Sequence, residues 1–347
     1  MSSNRFPRAK RVLFAVAALA LALGALPVRA ERVEPPLELL YAPGNLLVAG
    51  SVIEINPSGR LVFARKDVLG GMGRLPEKID VRVPMSVLND AKPGDLYIFG
   101  YSMTRADPRN PTHTIANPDG AVILTSIGLD PALFRDTPAA RAILKAGRSE
   151  RGRESYRLFD LLIKALAGSD RPLQNLAAGE IALAPRIGER LRESDDATIE
   201  KVARDTRTPP LVRASLLQSA SERPAELGDW WQGAALEVVT TTSTGGYATG
   251  TFDPTGLVLL ALEVLDKHAV RVSPDALKRW VHGPNPPVVE RACLMLRRES
   301  PALERAAIRE ALADPQLPGQ TRKFLSDHLR RLDLLDARLK AQKGGAE

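Results

Sequence analysis

The chain of 347 residues contains 48 basic residues, 41 acidic residues and a single cysteine. Five of the basic residues and none of the acidic ones lie within residues 1–30, so the remaining 43 basic and 41 acidic residues nearly balance. A basic footprint is the first requirement for nucleic-acid binding, and this balance therefore argues against a nucleic-acid partner. One cysteine cannot form a disulfide within the chain, so we expect about two domains that rest on their own hydrophobic cores.

Residues 1–30 have the composition of a secretory signal. Four basic residues among the first eleven precede an apolar run from Val12 to Leu26, and Val28 and Ala30 occupy the positions that a signal peptidase reads. The run is shorter than the about 20 apolar residues that span a bilayer, so we expect cleavage near Glu31; an uncleaved membrane anchor is the alternative. The mature chain is then predicted to be periplasmic or secreted, without stable insertion into a membrane.

Residues 37–130 have the pattern of a small β-domain. Residues 46–55 and 60–68 are rich in β-branched side chains and flank an Asn-Pro-Ser-Gly turn, which predicts a hairpin. Three further strands are predicted from alternating or continuous apolar residues, at 78–83, 96–101 and 121–127. The last of these is almost entirely apolar and is therefore expected to be a central or covered strand. Several short strands separated by turns indicate a β-barrel or sandwich.

The same segment resembles the OB-like barrels found in several exported proteins. The resemblance lies in the sequences VLGG at 68–71, VRVP at 81–84 and KPGDLYIFGY at 92–101. Members of the netrin and metalloprotease-inhibitor group begin with disulfide cysteines, which this segment lacks. The resemblance therefore implies a barrel architecture and no inhibitory activity.

Beyond Asp130 the apolar residues recur at every third or fourth position, which is typical of helices. Residues 154–167 carry five apolar or aromatic side chains on one helical stripe. Comparable segments occur at 172–183, 185–192, 196–204, 210–222, 230–239, 255–268, 274–281, 286–298, 301–313 and 319–341. We therefore predict an α+β multidomain fold, in which the small β-barrel or sandwich precedes an all-α domain over residues 136–341.

The helical part resembles a HEAT-like α-solenoid over most of its length. PPLVRASLL at 209–217 and PPVVERACL at 286–294 share two prolines, two aliphatic residues and an Arg-Ala pair. Prolines that open predicted helices recur unevenly, at Pro172, Pro210, Pro254, Pro287 and Pro318. Their spacing is comparable to the length of a HEAT-like helical pair, about 40 residues. The resemblance implies stacked helical pairs and no particular chemistry, and a helical bundle without repeats is the alternative.

The sequence contains few signatures of catalysis or metal binding. None of the four histidines has a histidine or cysteine partner at the spacing of a zinc site, and no nucleophile elbow or phosphate-binding loop occurs. Cys293 lies in an apolar helical stripe and is expected to be a buried small residue. We therefore predict no enzymatic activity, no metal and no cofactor.

Residues 240–256 interrupt the helical pattern with threonines, serines and glycines. Loops of this length are uncommon unless they are functional or disordered. One interpretation is a partner-binding loop with Trp230, Trp231, Tyr247 and Phe252 as the contacts, because aromatic side chains are favoured at interfaces. The other, which we prefer, is an insertion whose tryptophans pack in the core.

The predicted function is an exported, non-enzymatic scaffold of the bacterial envelope that binds a protein or peptide, since stacked helical pairs leave an extended surface. The alternative is an envelope hydrolase or carbohydrate-active enzyme with its site between the two parts. Clustering of Asp229, Asp253 and a histidine in one cleft would favour that alternative. A structural envelope component without a small ligand is a third interpretation.

Overall fold

The N-terminal part of the protein is a small closed barrel of β-strands. The structure, a computed structural model, describes residues 33–71, 75–102, 104–107, 110–116, 121–245 and 253–344. A short helix, α1 (Pro36–Leu40), precedes the strands, and a second, α2 (Met85–Asp90), joins the third strand to the fourth. The strands are β1 (Asn45–Asn56), β2 (Arg60–Gly70), β3 (Lys78–Arg82), β4 (Leu96–Ser102), β5 (Thr104–Asp107), β6 (Asn110–Ala116), β7 (Ala121–Ile123) and β8 (Leu133–Arg135).

The strand order closes the sheet on itself. Neighbouring strands are hydrogen-bonded in the order β1-β2-β3-β7-β4, and β4 pairs in turn with β1, which closes the barrel. The β8 strand extends the sheet beside β4. The β3 and β7 strands run parallel, and the other pairs of the sheet are antiparallel. The β5 and β6 strands form a separate two-stranded hairpin between β4 and β7. The barrel thus contains its own β-hairpin extension.

The turn between β1 and β2 forms as its composition predicts. Asn56 Oδ1 accepts a hydrogen bond from the Ser58 amide at 3.0 Å, and Asn56 lies opposite Arg60 in the register. Gly59 has a φ of +92°, a left-handed conformation that glycine adopts without steric cost. The hairpin predicted between residues 46–55 and 60–68 is therefore confirmed.

Alternate residues of the strands fill the barrel. Phe63 of β2 stacks on Phe99 of β4 with ring centroids 4.2 Å apart, and Tyr101 packs beside Phe99. The residues that alternate with these along β1 and β4 are also buried, but in the core of the helical part. Leu47 and Ile98 are examples. The β1 and β4 strands are thus covered on both faces.

The C-terminal part consists of helices, most of which pair as hairpins. Two helices, α3 (Pro138–Gly147) and α4 (Glu150–Arg153), follow the barrel. Five hairpins then follow within the described residues: α5 (Tyr156–Leu166) with α6 (Arg171–Leu183), α7 (Glu193–Arg204) with α8 (Pro210–Glu222), α10 (Trp231–Thr241) with α11 (Thr255–Lys267), α12 (Pro274–Val281) with α13 (Pro286–Glu299), and α14 (Pro301–Ala313) with α15 (Gly319–Gly344). A 3₁₀ turn (Ile187–Glu189) and the one-turn helix α9 (Pro224–Leu227) lie in the connections.

The hairpins stack in order along the chain. Each second helix packs on the second helix of the next hairpin, so that α6, α8, α11, α13 and α15 form one layer. Side chains near the start of several second helices cap the carbonyl groups at the end of the first. Arg213 donates to the Ala203 carbonyl at 2.8 Å, and Arg322 donates to the Leu312 carbonyl at the same distance. These bonds satisfy carbonyl groups that a helix end leaves without a partner.

The barrel joins the helical part through α1 and α6. The Leu37 amide donates to Oε1 of Glu180 at 2.5 Å, and both groups are buried. Close packing continues at Gly179 of α6, where an added Cβ would lie 2.6 Å from the Cα of Gly128. One cluster of buried side chains extends from the outer face of the barrel through the helices.

The predicted α+β architecture, a strand barrel followed by helices, is confirmed. The predicted helix over 210–222 coincides with α8, and that over 274–281 coincides with α12. The predicted strand over 121–127 is shorter, because its β7 pairs with β3 and β4 only at residues 121–123.

No helix among the described residues is both long and apolar enough to cross a membrane.

Candidate functional site

The layer of second helices exposes one face. On α8, α11 and α13, the residues that are not buried recur at every third or fourth position, which places them on a single side of each helix. We call this surface the second-helix face, and it comprises Leu211, Ser215, Gln218 and Glu222 of α8, Gly256, Leu259, Leu260 and Glu263 of α11, and Pro287, Glu290, Arg291 and Leu294 of α13. Because the three helices are neighbours in the stack, the face is continuous across them.

Aliphatic side chains give this face its apolar component. Leu211 is 49% exposed, whereas Leu259, Leu260 and Leu294 are half-buried. Scattered exposed leucines are ordinary on a protein surface. Here they are contributed by three successive helices of one layer, which is how stacked helical pairs form an extended binding surface.

Ion pairs fix the relative position of α11 and α13 on the same face. Arg291 of α13 donates to Glu263 at 3.2 Å and to Asp266 at 3.3 Å. Arg298 also pairs with Asp266, both through its carboxylate and through its main-chain carbonyl, the latter at 2.9 Å. Such partly exposed pairs contribute little free energy singly, but this network links the carboxylates of one helix to the guanidinium groups of the next.

A cavity of about 760 Å³ opens at the edge where the first two hairpins turn. We call it the turn-edge cavity. It is lined by the connection between α5 and α6, the start of α6, the last turns of α7 and the connection between α7 and α8. Its charged lining residues are Arg171, Lys201, Asp205 and Arg207, and its hydroxyl groups come from Ser169, Thr198 and Thr208.

Among the described residues that line the cavity, Asp205 supplies the one carboxylate, and it is already engaged. Its Oδ2 accepts from Nη2 of Arg207 at 2.8 Å, and its Oδ1 accepts from Nε of Arg207 at 3.0 Å and from the Arg207 amide at 2.9 Å. These hydrogen bonds to Arg207 lower the pKa of Asp205 to about 2. The carboxylate is therefore ionised at any ordinary pH and holds the turn in place.

The structure places the two predicted tryptophans at the start of α10. Trp231 is 2% exposed and its ring lies 4.6 Å from that of His268, while Trp230 is half-buried and donates through Nε1 to the Leu227 carbonyl at 2.6 Å. Trp231 is thus part of the core in this structure. The Nε1 of Trp231 is buried without a hydrogen-bond partner among the described residues.

The loop predicted over 240–256 starts at the other end of the same helix. The α10 helix continues to Thr241, and α11 begins at Thr255. A helix rises about 1.5 Å per residue, so the 11 residues of α10 separate its first tryptophan from its loop end by about 15 Å. Tyr247 and Phe252, the other two candidate contacts, lie outside the described residues, and their role stays a prediction.

The α10 helix also separates the two acidic residues whose clustering would favour an enzyme. Asp229 precedes α10, whereas Asp253 precedes α11 at the far end of α10. Two of the described histidines engage other groups: His328 contacts Glu304 at 2.9 Å, and His282 lies 3.5 Å from Asp314. Within the part of the chain that the structure describes, no three metal-ligating side chains come together.

Sequence reasoning placed the single cysteine correctly and missed the turn-edge cavity. Cys293 is fully buried, and burial raises the pKa of its thiol to about 12. The cavity residues lie in two separate turns, and only the stacking of hairpins brings them together. The sequence signal that could have indicated the cavity is a polar turn followed by a proline that opens a helix, which occurs at both turns.

Comparisons with known proteins identify no relative: the chain matches no protein-family model, no curated protein and no solved structure.

Proposed function

We propose that the protein is an exported scaffold of the bacterial envelope that binds a protein or peptide on the second-helix face. The observation that carries the proposal is the continuity of that face across α8, α11 and α13, with a leucine contribution from each helix. An extended surface of stacked helical pairs is suited to a long, irregular partner rather than to a small substrate.

The helical part is proposed to be HEAT-like. Three hydrogen bonds between consecutive hairpins have similar separations along the chain: Arg223 to Ala184 over 39 residues, Trp280 to Val239 over 41, and Thr321 to Gly283 over 38. In a solenoid each unit contacts its neighbours, so contact separations cluster near the repeat length. These separations agree with the length of HEAT-like helical pairs, which is about 40 residues.

The barrel is proposed to be OB-like. The closed order β1-β2-β3-β7-β4 with one parallel pair and the helix between β3 and β4 support this architecture. OB-folds are five-stranded Greek-key barrels. The architecture does not specify a ligand, so the functional proposal rests on the helical face.

Export is proposed from the basic, apolar and small-residue segments of residues 1–30, which lie outside the described residues. The near-neutral charge of the remainder agrees with a protein partner rather than nucleic acid. A periplasmic or secreted location then follows for the mature chain.

The test is site-specific photocrosslinking of the protein expressed with its own leader in a bacterial host. A photoreactive phenylalanine analogue replaces Leu211 or Leu260 on the second-helix face, and Leu96 of β4 serves as the control because it is 49% exposed, as Leu211 is, and lies in the barrel. We expect a discrete adduct of the same mass from both positions on the face and none from Leu96.

A second arm combines the analogue at Leu260 with the substitution Leu211→Glu. A charge introduced into an apolar contact costs free energy of binding, so we expect the adduct yield to fall about tenfold, which corresponds to about 1.4 kcal/mol. Equal adducts from all three positions would contradict binding on this face. Recovery of the protein in the cytoplasmic fraction alone, with residues 1–30 still attached, would contradict export.

A further inference from the structure

Four cations without a partner in the protein lie close together at the start of the helical part. They are Lys145, Arg148, Arg151 and Arg157, which we call the basic cluster, and all four are exposed. None of them forms an ion pair or a side-chain hydrogen bond with another described residue. Residues 145–157 contain five basic and two acidic residues, an excess of three, whereas the excess over all residues after 30 is only two. The positive charge of the mature chain is thus concentrated in this stretch.

Short elements hold the basic cluster together. Lys145 lies in the last turn of α3 and Arg148 is its C-cap, so their side chains share one side of the helix. The turn at α4 is held by serine hydroxyls: Ser149 Oγ accepts from the Gly152 amide at 3.0 Å, and Ser155 Oγ donates to the Gly152 carbonyl at 2.6 Å. The cations take no part in these bonds, so the fold of this stretch does not occupy them.

The carboxylates of the stretch compensate little of this charge. Glu154 lies 3.8 Å from Arg190, and the half-buried Arg153 lies near the buried carboxyl group of Glu180. Among the residues 145–157, Glu150 therefore remains to offset the four cations of the basic cluster. Side chains three residues apart on a helix are separated by about 5–6 Å, which is less than the Debye length of about 8 Å in physiological salt. Neighbouring cations of the cluster consequently act together on an approaching anion.

The basic cluster is an open surface rather than a pocket. A small ligand is bound in a concave site that buries most of its surface, and exposed side chains do not enclose one. A protein interface has an apolar core from which charged residues are depleted, whereas this cluster consists of charges. The aromatic side chain beside it, Tyr156, is 61% exposed and donates to the Glu189 carbonyl at 3.1 Å. Tyrosine is enriched where a membrane meets water, and anionic lipids give a bilayer an extended negative surface.

We propose that the basic cluster binds the anionic surface of a phospholipid bilayer peripherally, without insertion into it. Each basic residue near such a surface strengthens binding about fivefold, so a net excess of three charges favours an anionic over a neutral bilayer about a hundredfold. The cluster lies on α3, α4 and the start of α5, none of which contributes to the second-helix face. Membrane binding is therefore an interaction beyond the proposed function.

The position of the basic cluster near α1 also favours a membrane partner. Tyr41, the C-cap of α1, donates to the Leu144 carbonyl of α3 at 2.7 Å. The five residues between residue 30 and α1 span at most about 20 Å. A leader held in a membrane during export would thus keep α1 and the adjoining cluster close to the bilayer. This one step rests on the proposed export, whereas the charge argument does not.

The probe is vesicles of phosphatidylcholine with about 30% phosphatidylglycerol, compared with vesicles of phosphatidylcholine alone. The protein is the chain from Glu31 onward, so that residues 1–30 cannot bind the vesicles, and Pro35–Glu347 form one compact unit. Binding is measured by co-sedimentation in about 0.1 M salt, where charges are screened beyond about 10 Å. We expect binding to the anionic vesicles that is about a hundredfold tighter than binding to the neutral ones.

A double charge reversal tests the basic cluster itself. Arg148→Glu combined with Arg151→Glu is expected to weaken binding to the anionic vesicles at least about twentyfold. The matched control combines Arg309→Glu with Arg330→Glu, which makes the same change of net charge on two exposed arginines of the last hairpin. Because distant charges are screened, we expect the control to bind within about threefold of wild type. The cluster variant should keep the photocrosslinked adducts from the second-helix face, which separates this proposal from that of the protein partner.

A third variant gives an effect of opposite sign, which a merely damaged fold does not produce. Glu150→Gln removes the carboxylate that offsets the cluster, and we expect it to bind the anionic vesicles several-fold more tightly, with no change toward the neutral vesicles. Melting temperatures of all variants establish that each is folded.

Four outcomes would overturn the proposal. Failure to bind the anionic vesicles would contradict it directly, and equal binding to both kinds of vesicle would exclude attraction by charge. Equal weakening by the two double variants would show attraction to the whole molecule rather than to the basic cluster. Release from the vesicles by inorganic phosphate, and not by chloride at the same ionic strength, would indicate a site for a small anion instead of a bilayer surface.

Discussion

Glu180 is a carboxyl group buried where α1 meets α6. It is 3% exposed, and the hydrogen bond that it accepts from the Leu37 amide is its contact with the N-terminal segment. Burial raises the pKa of Glu180 to about 7, and the Leu37 amide and the charge of Arg153 offset only part of that effect. A carboxyl group in such a position links proton uptake to the attachment of α1.

The consequence is a stability that depends on pH. Because the pKa of Glu180 is about 7 in the folded chain and near 4.5 in the unfolded one, folding takes up a proton between those values. The contribution of Glu180 is therefore fully present below about pH 4.5 and is lost as the pH rises to 7. We expect the free energy of unfolding to fall by about 3 kcal/mol across this interval from this group alone.

The measurement is urea unfolding of the wild-type chain and of Glu180→Gln at several pH values from 5 to 8, at intervals of about one unit. Glutamine keeps an oxygen that can accept from the Leu37 amide but does not ionise. We expect the variant to gain stability relative to wild type as the pH rises, with the difference levelling off above pH 7. A difference that stays constant with pH would show that Glu180 does not titrate in this interval.

At the scale of elements, most helices were predicted from local pattern, whereas irregular strand pairing was not. The helix predicted over 185–192 is only a 3₁₀ turn at Ile187–Glu189, and α3 was not predicted. The prediction of α8 and α13 relied on prolines, which start a helix at no cost in hydrogen bonds, and on apolar stripes that local periodicity encodes. The hairpin of β5 and β6 was missed because its segment contains two prolines, Pro108 and Pro111, which are typical of turns. Local patterns carry no information about which distant strands pair.

The candidate site was harder to predict than the elements, because it also depends on which distant segments come together. The tryptophans and the loop of 240–256 are adjacent in sequence, yet α10 lies between them and separates them by its full length. Conversely, Gln174 and Lys201 are distant in sequence and line one cavity, since the stacking of the hairpins brings their turns together. Adjacency in sequence is therefore a poor guide to a site on stacked helices.

The contact between α6 and the segment after β7 depends on two glycines. An added Cβ at Gly179 would lie 2.6 Å from Cα of Gly128, 2.9 Å from Cγ of Pro36 and 3.0 Å from the Ile127 carbonyl oxygen. Since two of these are main-chain atoms, the overlap cannot be relieved by rotation of a side chain. We expect Gly179→Ala to lower the free energy of unfolding by about 2–3 kcal/mol.

Gly256 supplies the matched control, because it is also a helical glycine but an added Cβ there would meet no atom within 4 Å. Alanine is a better helix former than glycine, so Gly256→Ala is expected to be neutral or to stabilise the protein by up to about 1 kcal/mol. Thermal unfolding of both variants followed by circular dichroism checks the pair. Equal melting temperatures for the two variants would mean that α6 does not approach the barrel this closely.

At the scale of the whole molecule, the barrel and the helices share buried surface. Phe134 of β8 is 1% exposed and belongs to the same cluster as the helical core, whereas its neighbour Leu133 belongs to the barrel interior. Successive residues of one strand thus contribute to both cores. The residues Pro35–Glu347 form a single compact unit, as such sharing requires.

This arrangement predicts that a destabilising substitution at the edge of the barrel also lowers the stability of the helices. All three tryptophans of the chain, Trp230, Trp231 and Trp280, lie in the helical part, so their fluorescence reports on the helices alone. Phe134→Ala removes a buried ring and is expected to cost about 3–5 kcal/mol. If barrel and helices unfold as one cooperative unit, the urea midpoint seen by tryptophan fluorescence falls by the corresponding amount.

The control is Tyr156→Ala, which removes an aromatic ring of similar size from a side chain that is 61% exposed, and it should shift the midpoint far less. Hydrogen exchange of β1 and of α11 distinguishes the alternatives, because a cooperative unit exposes both segments with the same free energy of opening. An unchanged tryptophan midpoint in Phe134→Ala, together with faster exchange confined to β1, would show that the barrel unfolds on its own. In that case the shared cluster would be a contact between two independent domains, and the pH effect of Glu180 would be confined to their attachment.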